Sequence, residues 1–126
     1  MSNRTTKMVG AGVPPSAAQQ IAGADVATGL VATGSTQATA LAATADTNVF
    51  ATVAASTGTV IFQGPAAGPG DTQFFFNGGA NALSVYPPVS GQINALGANT
   101  AFSLAAGKSL EVRCVSSTQF YTILSA

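Results

Sequence analysis

Short runs of β-branched and aromatic residues dominate the chain from residue 47 onward, and glycine, proline, asparagine and aspartate separate them. Such runs are typical of β-strands, and the separating residues are typical of turns. We count about eight short strands at roughly ten-residue spacing, and no segment has a convincing helical period. The sequence therefore predicts an all-β fold, as an antiparallel β-sandwich or a jelly-roll-like domain.

Residues 1–24 depart from this pattern and predict an extended N-terminal arm. Arg4 and Lys7 supply half of the positive charge of the chain, and the segment has no hydrophobic period. Residues 14–23 begin with two prolines and end with glycine, which is compatible with a short helical turn. No apolar secretory segment follows the two basic residues, so we expect no signal peptide. The β-sandwich domain is assigned to residues 25–126.

Two strand pairs are predicted from local patterns. Residues 48–53 and 59–63 flank a Ser-Thr-Gly turn and predict a hairpin. Residues 110–114 alternate, with Leu110, Val112 and Cys114 on one face and two charged residues on the other. Residues 118–124 follow after a short turn and are the predicted partner of that strand. Cys114 is interpreted as a small buried hydrophobe.

Charge is scarce in this chain. It has four basic and four acidic side chains, no net charge and no histidine, and 6% of its residues are charged. Ordinary soluble domains have about 25% charged residues, so we expect copies of the chain or a partner to cover much of its surface. Nucleic acid is not an expected partner, because binding to phosphates needs clustered Lys and Arg. Residues 72–107 carry no charge but are interrupted by polar and turn residues, so we expect no membrane span.

The chain also has few residue types that perform catalysis. Without histidine and with one cysteine, it cannot assemble a Ser-His-Asp or Cys-His site or a zinc cluster. A calcium site through Asp25, Asp46 and Asp71 is conceivable, although their spacing matches no calcium loop. A glycosidase-type pair from two of the four carboxylates stays formally open. We predict that the protein is not an enzyme and has no cofactor or metal.

Aromatic residues are the best candidates for an interaction surface. Strand alternation buries either the middle residue of the run 74–76 or its two neighbours, so at least one phenylalanine is exposed. A base-stacking groove would need positive charge nearby, and residues 72–107 have none. The candidates for contact with a partner protein or another subunit are Arg4, Lys7, Phe74, Phe75, Phe76, Tyr86 and Tyr121.

The C-terminal half contains four short motifs. They are Asn-Gly-Gly-Ala-Asn-Ala-Leu-Ser-Val-Tyr-Pro-Pro at 77–88, Gly-Gln-Ile-Asn at 91–94, Ala-Ala-Gly-Lys-Ser at 105–109 and Ser-Thr-Gln-Phe-Tyr at 117–121. Together these motifs resemble a pattern found in small virion proteins of tailed bacteriophages. They describe strands and turns, not a catalytic site. The resemblance implies a decoration, or cement, protein on the outer surface of a capsid.

This resemblance leads to a functional hypothesis. The expected partners are the major capsid protein and further copies of the chain, with a homotrimer as the expected assembly. The protein would bridge neighbouring capsid proteins, with the arm reaching across a capsomer boundary. Assembly is expected in the host cytoplasm, where Cys114 stays reduced. The alternative is a tail-fibre or receptor-binding module that recognises a host glycan by stacking on Phe75, Tyr86 and Tyr121.

Overall fold

The computed structural model describes Gly12, residues 25–62 and residues 68–126, and these ranges contain strands and no helix. The strands are β1 (Val26–Val31), β2 (Leu41–Ala42), β3 (Thr47–Thr52), β4 (Gly58–Val60), β5 (Thr72–Asn77), β6 (Leu83–Tyr86), β7 (Gln92–Ile93), β8 (Phe102–Leu104), β9 (Ser109–Cys114) and β10 (Gln119–Leu124). The predicted all-β class is confirmed. Apart from Gly12, the predicted arm and its helical turn lie outside the described residues.

The strands form two mixed sheets, not the antiparallel sheets that the sequence predicted. One sheet has the order β1-β3-β5-β9-β10-β7 and the other has the order β2-β4-β6-β8. Within each sheet the early strands are parallel neighbours, whereas β9 runs antiparallel to both β5 and β10, and β8 runs antiparallel to β6. The chain alternates between the sheets from β1 to β6. Each return to a sheet therefore runs in the same direction as the strand before it.

This alternation decides which of the predicted hairpins exist. The prediction that residues 48–53 pair with residues 59–63 was wrong, because β3 and β4 belong to different sheets. The predicted pair at the end of the chain is confirmed: β9 and β10 are antiparallel, with Phe120 opposite Cys114 and Leu124 opposite Leu110. Short connections favour antiparallel neighbours, but a connection that changes sheets does not pair the strands that it joins.

One hydrophobic core joins the two sheets. The six-stranded sheet contributes buried residues from β3, β5, β9 and β10, and the four-stranded sheet contributes buried residues from β6 and β8. The largest of these buried side chains are Phe50, Phe75, Phe120, Leu83, Leu104 and Leu110. Cys114 is buried beside Val112, as its alternation predicted. The two sheets therefore pack face to face, which is compatible with a β-sandwich.

The edge strand β1 pairs irregularly with β3. Its register shifts between Ala27 and Leu30 and again between Leu30 and Val31. Gly29 lies in this interval with a φ of 66°, a conformation that glycine adopts without strain. Such a bulge interrupts the row of backbone groups that an open edge would otherwise present.

Buried amide side chains satisfy the backbone where the chain passes between the sheets. The Oε1 atom of Gln73 accepts a hydrogen bond from the Phe62 N–H at 2.7 Å. Its Nε2 group donates to the carbonyl oxygens of Ala43 at 3.0 Å and Ala45 at 2.8 Å. Asn48 also donates to the Ala45 carbonyl, at 2.8 Å. Gln73 in β5 thus holds the segments that follow β2 and β4.

Asn77 performs the same task at the end of β5. Its Nδ2 group donates to the carbonyl oxygens of Asn81 at 2.8 Å and Leu104 at 2.9 Å, and its Oδ1 atom accepts from the Gly79 N–H at 3.0 Å. Neither Gly78 nor Gly79, which follow Asn77, has a positive φ. A Cβ atom at Gly79 would lie 2.5 Å from the Val53 nitrogen. Close approach of two backbone segments therefore explains this glycine.

We expect the Asn77→Ala substitution to lower the free energy of unfolding by about 2 kcal/mol, because it removes the side-chain partner of the buried Leu104 carbonyl and of two part-buried backbone groups at Asn81 and Gly79. Urea unfolding followed by circular dichroism measures this change. Gln92→Ala is the matched control, since the side-chain amide of Gln92 has no hydrogen-bond partner among the described residues. The control should change stability by less than about 0.5 kcal/mol. Equal losses in the two variants would contradict the role assigned to Asn77.

Candidate interaction surface

The outer face of the six-stranded sheet, turned away from the core, carries two transverse rows of side chains. The strand register defines the Glu111 row (Phe74, Glu111, Ile123) and the Arg113 row (Thr72, Arg113, Tyr121). In antiparallel strands, residues directly opposite each other point to the same face, so each row is continuous across β5, β9 and β10. We refer to these six residues as the outer face.

The outer face exposes large apolar side chains. Ile123 is 67% exposed, Tyr121 is 53% exposed and Phe74 is 37% exposed. Val26 in β1 is 64% exposed and extends the Glu111 row through Thr47. Contiguous exposed apolar residues of this kind mark interaction surfaces, whereas single ones are ordinary.

Two opposite charges lie at the centre of this apolar surface. A guanidinium nitrogen of Arg113 is 3.7 Å from the Glu111 Oε1 atom, and the two side chains are 60% and 41% exposed. An exposed pair at this distance contributes little to stability, because water competes for both groups. Both charges therefore remain available to a partner that approaches the face.

The outer face is shallow. Its depression has a volume of about 160 Å³ and is lined by Glu111, Arg113, Tyr121, Thr122 and Ile123. Sites that enclose small molecules usually have volumes of about 300–1,000 Å³. The shape therefore suits a flat macromolecular surface better than an enclosed ligand.

The structure brings together three of the residues predicted for an interface. Phe74 and Tyr121 belong to the outer face, and Phe76 lies one row away, opposite Val49 and Ser109. Phe75 is fully buried in the core, so its prediction as an interface residue is corrected. Strand alternation allowed burial of either Phe75 or its two neighbours, and in the structure Phe75 is the residue that packs in the core.

The other predicted residues do not join this surface. Tyr86 lies in the four-stranded sheet, where it is half-buried and its hydroxyl donates to the Ser35 carbonyl at 3.1 Å. Arg4 and Lys7 lie outside the described residues. Ile123 and the two central charges were not among the residues predicted for an interface, although the alternation of residues 110–114 had placed both charges on the outward side of that strand. The alternation of β10 places Ile123 on the same side as Tyr121, which was a signal for it.

The carboxylates form no metal-binding cluster in the described part of the chain. No group of three or more Cys, Asp or Glu residues there is placed to hold a metal ion. Asp46 accepts a hydrogen bond from the Asp25 N–H at 3.1 Å, and Asp71 accepts one from the Gly68 N–H at 2.7 Å. These aspartates therefore organise local backbone. Residues 25–62 and 68–126 contain no helix that is long and apolar enough to cross a membrane.

The single thiol is part of the packing. The Cys114 Sγ atom donates to the Ser116 carbonyl oxygen at 3.1 Å, and the side chain is buried. Burial, with a smaller contribution from the Asp71 carboxylate, raises the pKa of the Cys114 thiol above its ordinary value. The thiol is therefore protonated and unreactive at neutral pH.

Comparison of this chain with protein-family models, with curated proteins and with solved structures finds no significant match. Its function is therefore inferred from the residues and geometry of the outer face. That face offers exposed aromatic and aliphatic groups around one acid and one base.

We expect iodoacetamide to label Cys114 more slowly in the folded protein than in urea, because the side chain is buried and the raised pKa of its thiol lowers the thiolate fraction. Mass spectrometry of timed samples measures the rate. Raising the pH from 7 to 9 should accelerate labelling of the folded protein, because it increases the thiolate fraction. Equal rates with and without urea would show that the thiol is accessible.

Proposed function

We propose that this protein is a structural virion protein that decorates the outer surface of a bacteriophage capsid and stabilises it by bridging neighbouring major capsid proteins. The observation that carries this proposal is the outer face, where Phe74, Tyr121 and Ile123 are exposed on a chain with 6% charged residues. A monomer in water gains nothing from such a surface, whereas a protein packed among many neighbours buries it. The resemblance of the C-terminal half to phage virion proteins supports the same role.

The chemistry of the outer face also supports a structural role. Glu111 is paired with Arg113, and no histidine in the chain could serve as a general base. The apolar groups exclude water, and the two charges orient a partner. Such a surface contributes binding free energy through contact area and does not need a reaction.

The mechanism in this proposal is additive. Each bound copy adds contacts across a boundary between capsid proteins, so separation of those proteins requires breaking them as well. Arg4 and Lys7 in the N-terminal segment would bind carboxylates on a neighbouring capsid protein. Further copies of the chain are part of the assembly, and the homotrimer remains a prediction from the sequence.

The first test is the copy number and position of the protein in purified virions. We expect copies on the order of hundreds, arrayed on the shell, because a decoration protein follows the symmetry of the capsid. Quantitative gel analysis and a particle reconstruction measure both quantities. A few copies confined to the tail would overturn the capsid proposal.

The second test concerns the N-terminal segment. We expect deletion of residues 1–13 to weaken binding to undecorated capsids by at least about tenfold, which corresponds to the loss of about 1.4 kcal/mol. Co-sedimentation of the variant with capsids measures the affinity. The double substitution Arg4→Ala and Lys7→Ala separates the contribution of charge from that of length. Unchanged binding by the deletion variant would remove the segment from the mechanism.

A glycan-binding tail module is the second candidate, and one observation favours it. Tyr121 borders the shallow depression with Glu111 and Arg113, and an aromatic ring beside polar groups is suited to the face of a sugar. The three aromatic residues expected to stack do not converge, because Phe75 is buried and Tyr86 lies in the other sheet. A location in the tail, with binding to host glycans that Tyr121→Ala abolishes, would favour this candidate.

A further inference from the structure

We propose that two copies of this chain associate through their outer faces, about a twofold axis that crosses β9 at Val112. This contact would form in the free protein, and binding to a capsid through the same outer face would replace it. The surface that forms it consists of the Glu111 row and the Arg113 row.

The two rows are complementary under one rotation. An axis that lies in the plane of contact, perpendicular to the strands and midway between the rows, exchanges the rows of the two copies. Glu111 of one copy then faces Arg113 of the second copy, and Arg113 of the first faces Glu111 of the second. Symmetry forms two ion pairs from one acid and one base.

The same rotation pairs the apolar residues. Tyr121 of each copy lies over Ile123 of the other, since these residues occupy corresponding positions of the two rows on β10. They are the two most exposed apolar residues of the outer face, at 53% and 67%. Covering them removes water from around the central charges, which strengthens the ion pairs.

Charge excludes the other face-to-face twofold arrangement. An axis parallel to β9 would bring Glu111 against Glu111 and Arg113 against Arg113. Like charges in direct opposition disfavour a contact strongly. The arrangement with antiparallel β9 strands also matches the way in which sheets stack, with strand directions within about 30° of each other.

The outer face is available for this exchange because its own ion pair is weak. The distance of 3.7 Å between Arg113 and Glu111 exceeds that of a direct hydrogen bond, and both side chains are largely in water. Each group therefore loses little when it turns to the second copy.

The size of the six-stranded sheet limits the expected affinity. Its strands are about 4.8 Å apart and most are six residues long, so the whole sheet, of which the outer face is a part, spans roughly 25 Å by 20 Å. This is smaller than the roughly 800 Å² per partner of a standard interface. We therefore expect a dissociation constant in the micromolar range, so that dimers form at high local concentration.

Charge reversal on the full-length chain tests the proposal by sedimentation velocity over a concentration series. The unaltered protein should form dimers, and Glu111→Arg and Arg113→Glu should each weaken dimerisation about 100-fold, because each reversal creates two repulsive contacts in the symmetric dimer. An equimolar mixture of these two variants should form a heterodimer. The double substitution Glu111→Arg with Arg113→Glu should restore the homodimer, since it exchanges the rows without changing their complementarity.

The control is Ser103→Arg, which adds charge to the exposed position between Phe102 and Leu104 in β8 of the other sheet. It should leave the dimer unchanged. Circular dichroism of every variant checks folding, and the recovery in the mixture cannot occur if the single variants are unfolded.

Three results would overturn the twofold contact: a monomer at every concentration, a trimer, or dimers that charge reversal does not affect. The trimer expected from the sequence is thus a direct competitor. Capsid binding by Glu111→Arg is measured separately. A monomeric variant that still decorates capsids would leave the capsid role intact, whereas an intact dimer without capsid binding would remove that role alone.

Discussion

Hydrogen bonding by buried amides is the constraint on which this structure depends. A chain that passes repeatedly between two sheets exposes unpaired backbone groups at each passage, and these groups lie next to the core. Gln73 and Asn77, at the two ends of β5, each make three hydrogen bonds to such groups. Amides supply both donors and acceptors without the cost of burying a charge. The chain can therefore pass repeatedly between the two sheets without placing charged residues in the core.

The winding also determines what the surface offers. Because β1, β3 and β5 are parallel and β9 and β10 close the same sheet, the alternating residues of β5, β9 and β10 fall into transverse rows. Inward positions carry the large core residues, and outward positions carry Phe74, Tyr121 and Ile123. The chain has placed its most exposed aromatic residue beside the central acid and base of the outer face. A surface of this kind is suited to contact with another macromolecule.

Local patterns predicted those parts of the fold in which neighbours in sequence are neighbours in space. The alternation of Leu110, Val112 and Cys114 with two charged residues identified both the inward face of β9 and its pairing with β10. The same alternation could not predict the parallel pairing of the early strands, because a strand of the other sheet lies between each parallel pair in the sequence. A weak signal existed: Asp25, Asp46 and Asp71 each come directly before β1, β3 or β5.

The outer face was predictable only in part, for a related reason. Alternation in residues 74–76 allowed two arrangements, and the choice depended on which side met the other sheet. Tyr121 was predicted as a contact residue because aromatic side chains are enriched at interfaces. Ile123 was not identified, because an aliphatic residue in a strand is more often part of a core. The pairing of the central charges with those apolar groups requires the register of three strands.

The early part of the chain repeats one structural unit, so a chain of this fold could become longer by adding another unit. We use the word coil for a segment that contributes one strand to each sheet. The segment from Val26 to Thr47 is one coil of 21 residues, and the segment from Thr47 to Thr72 is a second coil of 25 residues. Inserting another coil before β1 would lengthen both sheets and leave every existing pair in register. The irregular pairing at Leu30 acts as an end cap for this stack, since it disrupts the edge to which a further strand would add. A longer homologue would therefore carry the same irregularity in its own first strand, and regular pairing at the position of β1.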